Sequence, residues 1–189
     1  MSSDTDGPFT SADLRELSEI VLACRTAGVD NEWQATAGTL DWTCFATADH
    51  LIDCVFSYAL FLASRKLDGY PKFGELLAEP NARPVDLIDG LRAVTTMLSA
   101  VIETAEPGAR AVFWRTPRVE VRGSQDFAAR GGLEMILHAH DVCAGLGIDF
   151  VPPADLCRRL FEHTRDWPGQ PDVQPTDDPW ADVLQRSGR

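Results

Sequence analysis

Arg130-Gly131-Gly132-Leu133-Glu134-Met135-Ile136-Leu137-His138-Ala139-His140-Asp141 is the middle of a stretch, about Ser124 to Leu146, that reads as one long helix ended by Gly145 and Gly147. Residues four apart on a helix share a face, so Glu134 and His138 lie together. Asp141, three beyond His138, joins the same stripe, and Arg130, four before Glu134, extends it. His140 sits six beyond Glu134, about 240° round the helix at about 100° per residue, and faces elsewhere.

A carboxylate and an imidazole at this spacing supply two metal ligands from one helix, and a third must come from elsewhere. The chain has four histidines. His50 lies amid Ala48, Leu51, Ile52 and Val55, a stretch that faces inward. His163 lies among Arg158, Arg159, Glu162 and Arg165 and reads as solvated. His50 is therefore the expected third ligand. A set of two histidines and one glutamate leaves coordination positions open, which suits catalysis better than a closed structural site. The same Glu–His spacing also occurs as a plain hydrogen-bonded pair on helix surfaces. Cys54, four after His50, is a rival ligand, since a thiolate binds zinc well.

Outward from this stretch the chain is mostly helical. Thr10 or Ser11 caps a first helix from Ala12, with Leu14, Leu17, Val21 and Leu22 at helical spacing, fading near Gly28. A second helix runs from Trp42–Thr43 to about Lys66, with Phe45, Leu51, Val55, Tyr58 and Leu62 as its apolar positions. Residues 69–84, with Pro71, Pro80 and Pro84, read as a loop holding a short helical turn. A third helix covers roughly 85–105. Residues 111–122 favour a small hairpin around Thr116–Pro117. A fifth, shorter helix spans about Pro153–Trp167, and residues 168–189 form a tail. Residues 1–9 read as disordered, leaving 10–189 as one domain. Four long amphipathic helices predict an all-α four-helix bundle with a short extra helix, and such bundles build metal sites from facing helices.

The 189 residues include 17 basic and 29 acidic side chains, a formal charge of -12. That balance argues against nucleic acid, whose phosphates need clustered Lys and Arg. It argues equally against docking on anionic lipid. No segment approaches the roughly 18 uninterrupted apolar residues of a membrane span, and Met1 to Thr10 has no basic start or apolar core of a secretory signal. The five cysteines are odd in number with no CxxC, as in a reduced, cytoplasmic protein.

Three segments carry a family resemblance. Trp42-Thr43, with His50 eight after the tryptophan, is similar to a "GWTVxDLxxHL" motif. Glu134-x3-His138-Ala139-His140-Asp141 is similar to "E-x3-H-x-W-D". Pro179-Trp180-Ala181-Asp182-Val183-Leu184-Gln185-Arg186-Ser187-Gly188-Arg189 is similar to a "W-x-x-L-L-x-x-x-G-R" tail. Together they resemble the N-terminal domain of mycothiol-dependent maleylpyruvate isomerases, within the DinB-like metal-binding four-helix bundles that also include bacillithiol and mycothiol S-transferases. The resemblance implies a DinB-like bundle with His50, Glu134 and His138 as metal ligands. Asp41, the Phe45–Ala46 pair and His140 depart from the family's usual residues, and no counterpart of the isomerase's second domain is expected within these 189 residues. What the resemblance implies is thus the bundle and its metal, with the substrate left open.

The expected function is a metal-dependent transferase or isomerase of low-molecular-weight thiols. The metal, Zn²⁺ by expectation, stabilises the thiolate of a bound thiol, which then attacks a small electrophilic substrate. Mycothiol is the thiol that the resemblance implies. Arg130 or Arg122 could hold a substrate carboxylate, and Asp141 could orient His138 or act as a base. A non-catalytic metal-binding or regulatory module and a metal-assisted hydrolase are the other readings. An exposed bundle face could make a homodimer.

Overall fold

A computed structural model describes residues 7–69, 71, 73, 75–114 and 119–189. Thr10 opens α1 (Ser11–Ala27) with a reciprocal cap: its hydroxyl accepts from the Asp13 N–H, and the Asp13 carboxylate accepts from the Thr10 N–H. Thr43 opens α2 (Cys44–Ser64) by accepting from the Ala46 N–H. Pro84 stands in the first turn of α3 (Pro84–Thr104), where its missing N–H costs no helical bond. After α3 the chain forms an antiparallel hairpin, β1 (Arg110–Trp114) with β2 (Val119–Arg122), in which Ala111 faces Val121. The hairpin expected at 111–122 is present; its Thr116–Pro117 turn lies outside the described residues. Next come α4 (Ser124–Leu146), α5 (Ala154–Thr164) and α6 (Pro179–Ser187).

The protein is mainly helical, as its periodicity predicts. α1 and α2 each pack against both α3 and α4. Leu17, Val21, Leu51, Val55, Leu98, Met135 and Ile136 fill the space between them and are fully buried. α2 is long and apolar enough by composition to cross a bilayer, with mean hydropathy 1.3. In this fold Leu51, Val55, Ala59 and Leu62 on its inner face are buried in the core.

The two glycines near the end of α4 do different work. Gly147 takes the left-handed conformation (φ 70°) that closes the helix. Gly145 is a contact residue: a methyl there would collide with the Thr36 carbonyl and the Cys44 sulfur. Its bareness lets the start of α2 press against α4, the helix that carries Glu134 and His138.

Three sequence expectations need correction. The disorder expected over 1–9 does not hold at residue 9, because Phe9 is fully buried against Gly132. An aromatic ring has ~150–250 Å² to hide, and the bare glycine leaves it a slot; residues 1–6 lie outside the described residues. The tail expected over 168–189 ends in a further helix, α6. Asp178 caps α6 by accepting from the Trp180 and Ala181 N–H groups. The short helical turn expected within 69–84 is not found among the described residues there; a plain turn stands at 80–81.

Candidate metal centre

His50 projects from α2, and Glu134 and His138 from the facing side of α4. One ligand atom from each lies within 4.8 Å of the others. Glu134 Oε2 stands 3.4 Å from His138 Nε2, about the edge of a tetrahedron whose metal–ligand bonds are about 2.1 Å. The two imidazole rings meet edge to face, 5.4 Å between centroids. Trp42, which precedes the cap of α2, sets its ring edge against His50 at 5.0 Å.

Glu134 and His138 each have a polar neighbour behind them. The Tyr58 hydroxyl, two turns beyond His50 on α2, donates to Glu134 Oε1 at 3.1 Å. Burial and the charge of Glu134 push this phenol well above its usual pKa, so it stays a donor. Burial alone would raise the Glu134 carboxyl; His138, the Tyr58 hydroxyl and His50 outweigh it and hold the group below the ordinary carboxylate value. On the far side of His138, Asp141 Oδ2 stands 3.4 Å from Nδ1. Nδ1 is buried and makes no well-formed hydrogen bond, with that oxygen as its nearest acidic neighbour. Nδ1 thus turns toward a carboxylate acceptor and Nε2 toward Glu134. That is the division of labour in a metal-binding histidine, where the remote nitrogen is fixed by an acceptor behind it.

The set fits a divalent ion of the zinc class: two imidazoles and one carboxylate, with both carboxylate and ring nitrogen oriented from behind. His50 and Glu134 open onto a cleft of about 500 Å³, also lined by Cys54, Tyr58, Phe113, Arg130 and Trp167. Cys54 Sγ lies 3.3 Å from His50 Nε2. Burial first, then the charges of Glu134 and Asp53, raise its thiol far above the ordinary value, so in the free protein it is not a thiolate.

Arg130 lines the cleft. Its guanidinium lies between two rings, 4.2 Å from the Phe113 centroid and 3.9 Å from that of Trp167. Its ion pair with Asp126 is long, at 3.6 Å, and its buried Nε meets no acceptor. Arg122 is not brought to the site. It is largely exposed on β2, paired with Glu120 at 3.2 Å, and does not line the cleft. The alternation of the short strand carries it outward. Asp141, expected among the catalytic residues, does not line the cleft either. It stands behind His138, its side chain 2% exposed, and is bound by Arg189.

His163 is not solvated. Its Nδ1 accepts from the Phe9 N–H and its Nε2 stands 3.2 Å from Asp126. The polar face of α5 is an interface with the start of α1, where Arg159 also pairs with Asp13 at 2.8 Å. His140 faces away from the triad, packing against Trp180.

Sequence reasoning took Tyr58 as a core position and left Trp167 and Arg189 unassigned. The stripe His50, Cys54, Tyr58 at spacing four was a signal for the first. Nothing local signalled Trp167, and the tail motif that ends at Gly188-Arg189 gave Arg189 no role. No family model matches this chain, and no curated protein or solved structure matches it.

Proposed function

We propose that this protein is a metal-dependent transferase or isomerase of low-molecular-weight thiols, built on a DinB-like bundle, with zinc held by His50, Glu134 and His138. Its thiol is mycothiol and its second substrate a small electrophile. The observation that carries the reading is a three-ligand set, two of whose members open onto a cleft with a buried cation, Arg130, in its wall.

Zinc in such a site lowers the pKa of a bound thiol, so that the nucleophile is available near neutral pH. The chain's residues do the rest. Glu134 and His138 are fixed by Tyr58 and Asp141, so the site keeps its shape as charge builds up. Arg130, set between Phe113 and Trp167 in the cleft wall, holds a carboxylate of the electrophile and orients the reacting carbon toward the triad. The cleft volume is that of a site for one small ligand. In a transferase the thiolate sulfur displaces a leaving group, which departs with the bonding pair, and the new sulfur–carbon bond stays. In an isomerase it adds to a carbon–carbon double bond whose electron pair moves into the conjugated carbonyl, and after rotation about the resulting single bond the pair returns and expels the thiolate.

A second reading, a structural metal site, draws on Cys54. As a fourth ligand beside His50 it would close the sphere and leave no place for a thiol. The hydrolase reading gains nothing from Asp141, the base expected for it, which stands outside the cleft and is bound by Arg189.

Elemental analysis of protein purified without added metal or chelator tests the reading, beside His138→Ala. About one equivalent of zinc is expected in the parent and little in the variant. Zinc-loaded protein should then couple a thiol to a carboxylate-bearing electrophile. A parent that takes up no metal after reconstitution with Zn²⁺, Ni²⁺ or Fe²⁺ overturns the proposal. Zinc uptake that fails after Cys54→Ser favours the structural reading.

A further inference from the structure

Asp141 is nearly inaccessible, and its carboxylate is fully engaged. Arg189 Nε donates to Oδ1 at 3.0 Å and to Oδ2 at 3.1 Å, and Nη2 donates to Oδ2 at 2.8 Å. Gly38 covers the residue from the loop before α2, with room for no more than van der Waals contact at its Cβ position. An ordinary exposed ion pair contributes little and wanders among rotamers. This one is two-pronged, with side chains 19% and 2% exposed, and such forks fix the plane of the carboxylate.

Arg189 is delivered there by firm anchoring. Val183 on α6 is buried, and Arg186 donates to the Phe161 carbonyl at 2.6 Å with its guanidinium 3.4 Å above the Phe161 ring. Gly188 then turns left-handed (φ 76°), and the Arg189 N–H bonds back to the Leu184 carbonyl at 3.1 Å. Three anchors and a turn thus aim one guanidinium at the carboxylate behind His138.

We propose that Arg189 is a positioning residue for the metal ligand His138, acting through Asp141: it locks the carboxylate in the plane from which Oδ2 reaches the ring Nδ1. The inference rests on the metal-site reading above. Without Arg189, Asp141 is free to rotate away, the His138 ring loses its fixed orientation, and metal affinity falls. Supports of this kind typically change affinity about 10–100-fold.

The test is the zinc dissociation constant of the full chain, measured by competition with a chromophoric chelator, for the parent, Arg189→Ala, Arg189→Lys and Asp141→Asn. The melting temperature of each metal-free form is measured alongside. Arg189→Ala is expected to bind zinc about 10-fold more weakly or worse. Arg189→Lys should recover part of the loss, since it restores the charge without the fork. Asp141→Asn should weaken binding at least as much as Arg189→Ala, and combining the two should add little. Affinity lost while the metal-free melting temperature holds marks positioning. If Arg189→Ala binds zinc as tightly as the parent, or if its loss is matched by a general loss of folding that Arg189→Lys shares, the proposal is overturned and the metal site stands. A parent that binds no zinc overturns the metal-site reading itself.

Discussion

The Tyr58 hydroxyl donates to Glu134 Oε1 at 3.1 Å, while the other oxygen of the same carboxylate faces His138. One oxygen is thereby committed to α2, and the other is the one that the proposed site gives to the metal. Tyr58→Phe keeps the ring packing and removes only this bond. Zinc affinity is expected to fall about 10-fold, in the range for lost support behind a ligand, with little change in the fold. Chelator competition measures it. Unchanged affinity would mean that Glu134 is held by packing alone.

Arg130 and Arg122 divide cleanly in space, and their variants should divide in kinetics. Arg130→Gln is expected to raise the KM for a carboxylate-bearing electrophile about 10–100-fold, the cost of losing a charge-assisted contact. The KM for an uncharged electrophile and the zinc content should hardly move. Arg122→Ala should leave all three unchanged, because its partner is Glu120 and it does not reach the cleft. Equal losses for charged and uncharged electrophiles after Arg130→Gln would show that the guanidinium only braces Phe113 and Trp167.

How far the sequence carries this picture depends on the reach of each interaction. α4 is legible to the residue because its limits are local: Ser124 follows Gly123, and Gly147 supplies the left-handed close. Glu134 and His138 follow from helical spacing. His50 follows from its apolar neighbours. Spacing within one helix cannot tell which core residue meets a ligand on another helix, so Tyr58 reads as one more apolar position. Arg189 reaches Asp141 across 48 residues, through the capping of α6 and the seating of Arg186 on Phe161, and no local pattern encodes that. His163 misleads because its charged neighbours on α5 suggest water, while Arg159 and His163 themselves dock against the chain at Phe9 and Asp13.

The pH behaviour of the metal-free protein follows from His138. Burial disfavours its imidazolium, but Asp141 and Glu134, each 3.4 Å from a ring nitrogen, outweigh it and hold the pKa above the ordinary ~6.5. A base whose folded pKa is raised contributes stability that is complete below its unfolded pKa and lost as pH rises through the folded value. The melting-temperature advantage of the metal-free parent over His138→Gln should therefore shrink as pH rises from 6 upward. Zinc reverses the sign: it needs the neutral ring, so uptake releases a proton and affinity climbs over the same range. Melting curves and calorimetry in buffers of different ionisation enthalpy check both halves. An advantage that grows with pH in the absence of metal would show that burial, not the carboxylates, governs this ring.

Arg25 is fully buried in α1, and its Nε, Nη1 and Nη2 meet no hydrogen-bonding group of the protein. Burial pushes its pKa down to about 10; the neighbouring Cys143 and Cys44 oppose this only weakly. A charge kept from water without a partner costs free energy on folding. Replacing it with an apolar chain of similar length removes that cost while keeping the packing of its stem. Arg25→Met is therefore expected to stabilise the protein by about 1–3 kcal/mol at neutral pH. The gain should diminish above pH 10, where the parent's guanidinium begins to lose its charge in the fold and the penalty with it. Urea unfolding of parent and variant at neutral and alkaline pH measures both effects. A variant less stable than the parent by more than about 1 kcal/mol would mean that the guanidinium is paired in solution and that the core around Cys44 and Cys143 depends on it.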